Sequence, residues 1–262
     1  MFQIQSAGAV TTLTLCHPPV NAISDEWVRA FEQKLDQLGS DCSVLHIRSD
    51  QKVFCAGADL KEMRGRMDMA DGPDRMYAYV AGIQRLYFHI EALPQVVLAE
   101  IGGAAMGGGF ELALACDLRI TANEAKIGLP EARLGLIPGA GGTQRLTRLC
   151  GPSLAKRLIL GAEVLDGATA ASLGVVHWSA PRAELPARAA ELAKRIADLP
   201  AAALAASKAC IAAACQPGRG GYTDELEFTR SLLTNPETQK RVTAFLQGAT
   251  EPSTPTKSGA AR

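Results

Sequence analysis

Apolar and polar residues alternate over residues 2–5 and 10–15, with a Ser-Ala-Gly turn between, so the chain opens on a strand hairpin. Ser24, followed by Asp25 and Glu26, marks a helix start, and Trp27, Phe31, Leu35 and Leu38 recur at the spacing of one helical face. Ser43 to Arg48 (SVLHIR) has the content of a short strand, and a second helix is predicted over about 74–92, ending before Pro94. Gln95 to Ile101 (QVVLAEI) is an unbroken apolar strand carrying one acid. A glycine-rich turn then leads into a helix at Phe110 to Cys116. Strands and helices thus alternate, which predicts an α/β fold with parallel strands.

From about residue 153 the pattern is mainly helical, over 153–160, 168–173, 183–199, 201–215, 223–233 and 236–247, with Pro or Gly at most joints. The last of these could form a separate helical layer. The Ala-rich run 201–215 (AAALAASKACIAAAC) suits close helix packing, one use of which is a subunit interface. The tail after about 249 is polar and rich in Pro, Ser and Thr, a composition that predicts disorder.

Composition narrows the classes. The chain has 262 residues, 47% apolar and 21% charged, enough to bury a large core. Twenty-seven basic residues balance 27 acidic ones, so no net field draws nucleic acid or anionic lipid. Seven cysteines, an odd number without metal-type spacing, fit free thiols in a reducing compartment. The first residues carry no basic n-region, and the apolar stretch from Val96 to Cys116 holds Glu100, Glu111 and many glycines. Neither has the form of a signal peptide or a membrane span, and a cytoplasmic protein is expected.

Three segments carry candidate chemistry. In GGAAMGGGFELALAC (102–116), three consecutive glycines stand where a strand gives way to a helix, and Glu111 follows in the first turn of a helix that is apolar almost all round. Free N–H groups at such a junction can hold developing negative charge. A carboxylate on a buried helix must be paired, raised in pKa or turned to a pocket. A plainer account is an acid stabilising a helix N-terminus beside a tight turn. In IGLPEARLGLIPGAGGTQR (127–145), Glu131 follows Pro130 and a second glycine-rich loop spans 139–142; here the plain account is a helix start. In FCAGADLKEM (54–63), small residues let another group approach the backbone. Cys55 lacks a neighbouring histidine and is read as a structural thiol, while Asp59 and Lys61 could simply begin a helix.

Together and in this order, these segments resemble the crotonase (enoyl-CoA hydratase/isomerase) superfamily, and the likeness runs from HPPVNAIS near residue 20 to about residue 245. The resemblance implies an α/β, crotonase-like spiral of ββα units with a C-terminal helical trimerisation region. It would divide into a core at 1–195, a helical region at 196–248 and a tail at 249–262. The implied activity is reversible addition of water to a 2-enoyl-CoA through an enolate. Glu111 would then polarise the water and Glu131 would protonate C2, while the N–H groups of Ala58 and Gly108 would form the oxyanion hole. Ala22, Ala56, Asp59, Leu60, Lys61, Gly107, Pro130 and Gly139 would line the path of CoA, thioester and acyl group. No metal and no cofactor beyond the coenzyme A of the substrate is implied. The assembly would be a homotrimer or a dimer of trimers, with no nucleic-acid or membrane partner.

His17, His46, His89 and His177 match no catalytic position and are read as structural or surface residues. Many members end in a basic Glu-Lys-Arg-Lys-type segment, whereas this chain has Phe245-Leu246-Gln247-Gly248. Retention of both glutamates favours a hydratase over an isomerase, and FELALACDLRI also resembles hydratases of methylglutaconyl-type CoA. A non-catalytic RNA-binding role lacks a basic-aromatic surface motif. A dinucleotide-dependent oxidoreductase would rest on glycine richness alone. GRMDMADGPD (65–74) is expected to be a mobile loop beside the acyl pocket.

Overall fold

A computed structural model describes residues 1–215, 218 and 220–250. The polar tail expected after 249 falls almost wholly outside these residues. The chain divides into two compact units, Met1–Ala201 and Ala202–Arg262.

In the first unit, β1 (Phe2–Ala7) and β2 (Val10–Leu15) form the expected antiparallel hairpin. The next helix, α1 (Asp25–Leu35), is capped by Ser24, whose hydroxyl accepts from the Trp27 N–H; it ends before Leu38. Its buried Trp27 and Phe31 each stack 5.1 Å from Phe2 of β1. Then come β3 (Val44–Ser49), α2 (Leu60–Met67), α3 (Gly72–Ala92) and β4 (Val96–Ile101). The segment 65–74 is therefore the end of one helix, a short link and the start of the next. Pro73 in the first turn and Asp74 beside it favour that start, which corrects the expected loop.

The chain continues through β5 (Ala105–Met106), α4 (Gly108–Ala115), β6 (Leu118–Ala122) and β7 (Lys126–Gly128). After a 3-10 turn at Glu131–Leu134 come α5 (Gly142–Leu160), β8 (Val164–Asp166), α6 (Gly167–Ser172), β9 (Trp178–Ala180) and α7 (Leu185–Ala197). Helix α5 starts eleven residues before the expected Ser153, and it kinks at Gly151, whose φ of 75° precedes Pro152.

Six strands form one sheet in the order β1-β2-β3-β4-β6-β9, parallel from β2 onward. Strands β3 and β4 are buried along most of their length, which suits their runs of Val, Leu, Ile and Ala, and the buried His46 and Glu100 they carry lie 2.9 Å apart. Helix α7 packs on this sheet through Leu185, Ala189, Leu192, Ala193 and Ile196. A second sheet, β5-β7-β8, stands beside α4. The second unit contains α9 (Gly221–Leu233), α10 (Pro236–Thr250) and most of α8 (Ala201–Ala213). Among the described residues no single helix is long and apolar enough to cross a membrane.

Candidate active site

The three motif segments, far apart in sequence, meet at a cavity of about 540 Å3 in the first unit. The first wall is held by backbone pairing. The Ile23 N–H donates to the Gly57 carbonyl (2.9 Å) and the Asp59 N–H to the Ile23 carbonyl (2.9 Å). In this parallel bridge the N–H of Ala58, the residue between, takes no part, and it donates to no carbonyl of the described residues. Cys55 pairs with Ala105, and the Met106 N–H donates to the Cys55 carbonyl (3.0 Å), which brings the second segment alongside.

Helix α4 begins where β5 ends. Its residue before the first turn, Gly107, has φ 52°, a conformation glycine adopts without a Cβ clash. The Gly107 N–H is engaged by the Gly128 carbonyl, while those of Phe110 and Glu111 turn back to the Gly107 carbonyl. The Gly108 N–H opens the helix and, like all first-turn donors, has no acceptor within it. None is supplied elsewhere among the described residues. A Cβ on Gly108 would lie 3.7 Å from the Ala58 nitrogen, so the two unengaged N–H groups are close neighbours at the positive end of a helix.

Glu111, one turn into α4, is 2% exposed. Its Oε1 accepts from the Gly142 N–H at 2.7 Å. Burial pushes its pKa up to about 7; the Gly142 N–H opposes the shift, and the charge of Glu131 reinforces it. Glu131 sits in the 3-10 turn after Pro130, and its Oε1 would be 3.0 Å from a Cβ on Gly107. Burial raises its pKa as well. Its Oε2 is buried and has no hydrogen-bond partner among the described residues. Two carboxyl groups with raised pKa values, coupled to each other, thus face one apolar cavity beside two free N–H donors. Such a set can share one proton, hold a water and stabilise an oxyanion.

Ala56, Ala58, Leu60, Gly107, Gly108, Glu111, Pro130, Glu131 and Gly139 all line the cavity. Ala22, Asp59 and Lys61 do not. The Asp59 carboxylate is taken up by the N-terminus of α2, accepting from the Lys61 N–H (2.8 Å) and the Glu62 N–H (3.2 Å), and Lys61 is exposed. Ala22 is half-buried behind the Ile23 bridge.

The Cys55 thiol is fully buried, donates to the Asn21 carbonyl (3.0 Å) and is pushed up to about 12 by burial, which fits a structural thiol. The four histidines lie off the cavity wall. His46 is buried 2.9 Å from Glu100, and His177 is held down to about 4 by burial and by Arg119. Among the described residues no three His, Cys, Asp or Glu side chains gather as metal ligands would.

Several positioning residues escaped the sequence reading. The hydroxyl of Tyr79 donates to the Ile23 carbonyl and that of Tyr87 to the Gly108 carbonyl, both at 2.6 Å. Gln84 donates to the Gly139 carbonyl (2.6 Å). Arg145 grips both oxygens of Glu91 (2.8 and 2.7 Å) and donates to the Ala140 carbonyl (2.7 Å), fixing the loop that presents the Gly142 N–H. One signal was available: Tyr79, Ile83 and Tyr87 fall four residues apart on α3, so two hydroxyls lie on a single buried stripe.

Comparison with known proteins agrees with this geometry. The profile described as enoyl-CoA hydratase/isomerase matches residues 5–251. A protein of Arabidopsis thaliana named "Probable enoyl-CoA hydratase 2, mitochondrial" is 44% identical over 67% of this chain and 58% of its own length. The mitochondrial methylglutaconyl-CoA hydratase of Mus musculus is 47% identical over 60% of this chain and 49% of its own. The chain therefore spans about half to three-fifths of these two relatives. The crystal structure of an enoyl-CoA hydratase from Bacillus anthracis superposes with a TM-score of 0.87 at 32% identity, covering 94% of this chain and 96% of that one. Profile, relatives and fold point the same way: the chain belongs to the enoyl-CoA hydratase/isomerase family, on the crotonase fold.

Proposed function

We propose that the protein hydrates 2-enoyl-CoA thioesters to 3-hydroxyacyl-CoA. The observation that carries this is the pairing of two protonation-shifted carboxyl groups with two unengaged N–H donors in one cavity. With the thioester oxygen between the N–H groups of Ala58 and Gly108, charge developing on it as water adds at C3 meets donors already in place. One such donor is typically worth about 3 kcal/mol in the transition state. Glu111 and Glu131 share a proton: one carboxylate takes a proton from the attacking water while the other carboxylic acid delivers one to C2. The water's oxygen bonds to C3, the double-bond electrons pass to the thioester oxygen, and the enolate then collects the proton at C2. Burial and mutual repulsion keep the second proton within reach near neutral pH.

Ala56, Leu60, Gly107, Pro130 and Gly139 would flank the thioester and acyl group. The homologous proteins named as hydratases support this reading. Assembly into a homotrimer or a dimer of trimers belongs to the same reading, and exposed Leu226, Leu233 and Phe245 on the C-terminal helices offer apolar surface for a subunit contact.

The test follows the absorbance of a conjugated enoyl thioester, with crotonyl-CoA as first substrate. Wild-type protein should consume it, and Glu111→Gln and Glu131→Gln should each lower kcat by about 100-fold or more. Turnover of a 3-enoyl-CoA with no hydration of the 2-enoyl isomer would assign an isomerase instead.

A further inference from the structure

The cavity also constrains which acyl group can enter. We propose that the acyl group is an uncharged hydrocarbon chain longer than four carbons, selected by a wall made of Met76, Val80 and Ile83 of α3 together with Leu134, Leu136 and Ile137. This rests on the reading that the cavity receives an acyl-CoA.

The two N–H donors and the two glutamates fix the end at which thioester and double bond lie, so the remaining wall faces the acyl chain. Among the described residues that line the cavity there is no Lys, Arg or His, and the only formal charges are those of Glu111 and Glu131. Of the polar uncharged side chains on the wall, Gln84 is engaged by the Gly139 carbonyl and Tyr79 by the Ile23 carbonyl, and Tyr77 is exposed to solvent and carries no charge. Neither nearby guanidinium reaches the wall. Arg145 holds Glu91 and the Ala140 carbonyl, and Arg66 pairs through Nη2 with Asp25 and Glu62; neither residue lines the cavity. A second carboxylate at the far end of the acyl group would lose its water, find no cation and stand in the field of two acids. A methylglutaconyl group ends in such a carboxylate, so likeness to the mouse methylglutaconyl-CoA hydratase does not carry its substrate to this chain.

Size narrows the class further. A cavity of about 540 Å3 with this apolar lining offers more room than a four-carbon acyl group with its thioester fills.

Calorimetric binding of saturated acyl-CoAs, which cannot be hydrated, tests the proposal apart from turnover. Hexanoyl- and glutaryl-CoA are similar in length and differ in the terminal carboxylate. Hexanoyl-CoA should bind at least about 100-fold more tightly than glutaryl-CoA, and octanoyl-CoA at least about 10-fold more tightly than butyryl-CoA. Ile137→Arg places a cation at an exposed position of the wall, and it should narrow the hexanoyl-to-glutaryl ratio by about 10-fold or more. Equal affinity for hexanoyl- and glutaryl-CoA, or for octanoyl- and butyryl-CoA, would overturn the proposal. Binding of none of the four would overturn it together with the acyl-CoA reading. Selective binding without hydration of 2-hexenoyl-CoA would leave the selectivity standing and remove the hydratase assignment alone.

Discussion

Glu111 sits where a carboxylate is costly. An unfolded glutamate ionises near 4.5, whereas the folded one keeps its proton up to about 7. Between those values the folded state binds more protons than the unfolded state, so stability from this group is fully present below about 4.5 and is lost as pH rises to about 7. The difference amounts to roughly 3 kcal/mol. Glu111→Gln keeps an acceptor for the Gly142 N–H and removes the charge. It should therefore melt above wild type at pH 8, with the difference shrinking towards pH 5. Scanning calorimetry at both values checks this, and a gap that widened on acidification would contradict it. Both acids were legible as candidates because each adjoins a glycine-rich turn in an apolar setting. Their nearness to each other was not, since 20 residues and two strands separate them. Asp59 was legible in another way: the helix start that local sequence allows there is present, with its carboxylate accepting from the Lys61 and Glu62 N–H groups.

At the scale of elements, helix α3 works as a brace. Tyr87 reaches the carbonyl of the residue that opens α4, and Glu91 anchors Arg145 beside the loop that serves Glu111. Arg145→Lys retains charge and loses the two-pronged grip on Glu91, because an ammonium cannot match that planar fork. It should cost about 1–3 kcal/mol in denaturant unfolding, and it should lower kcat by more than it raises KM. A change in KM alone would place Arg145 outside the support of Glu111. Tyr87→Phe should cost about 1 kcal/mol in the same unfolding measurement and lower kcat several-fold, since the Gly108 carbonyl loses its donor, and the start of α4 its brace, while the ring packing stays. Helix α1 was readable from its apolar spacing, whereas α5 was readable only in its second half. Strands β7, β8 and β9 were not, because three residues such as Lys126–Gly128 are too short to show a period. Neither were the braces, whose partners lie 21 to 55 residues away.

For the whole molecule, alternating strands and helices already implied a parallel α/β layer, and the six-stranded sheet has that form from β2 onward. The insertion of β6 beside β4, and of β9 beside β6, depends on crossovers that leave no mark in local sequence. Those crossovers bring the loops at 56–58, 107–111 and 139–142 together and so create the cavity. On the proposed function, these loops make one site that adds water across a 2-enoyl thioester. Reaction with 2-hexenoyl-CoA in deuterium oxide, with the product read by NMR, tests this. Wild type should form 3-hydroxyhexanoyl-CoA with a single deuteron at C2, and Glu131→Gln should suppress it about 100-fold or more. A 3-hexenoyl-CoA product, deuterated at C2 and without a hydroxyl at C3, or wild-type rates from the Glu131→Gln variant, would contradict it.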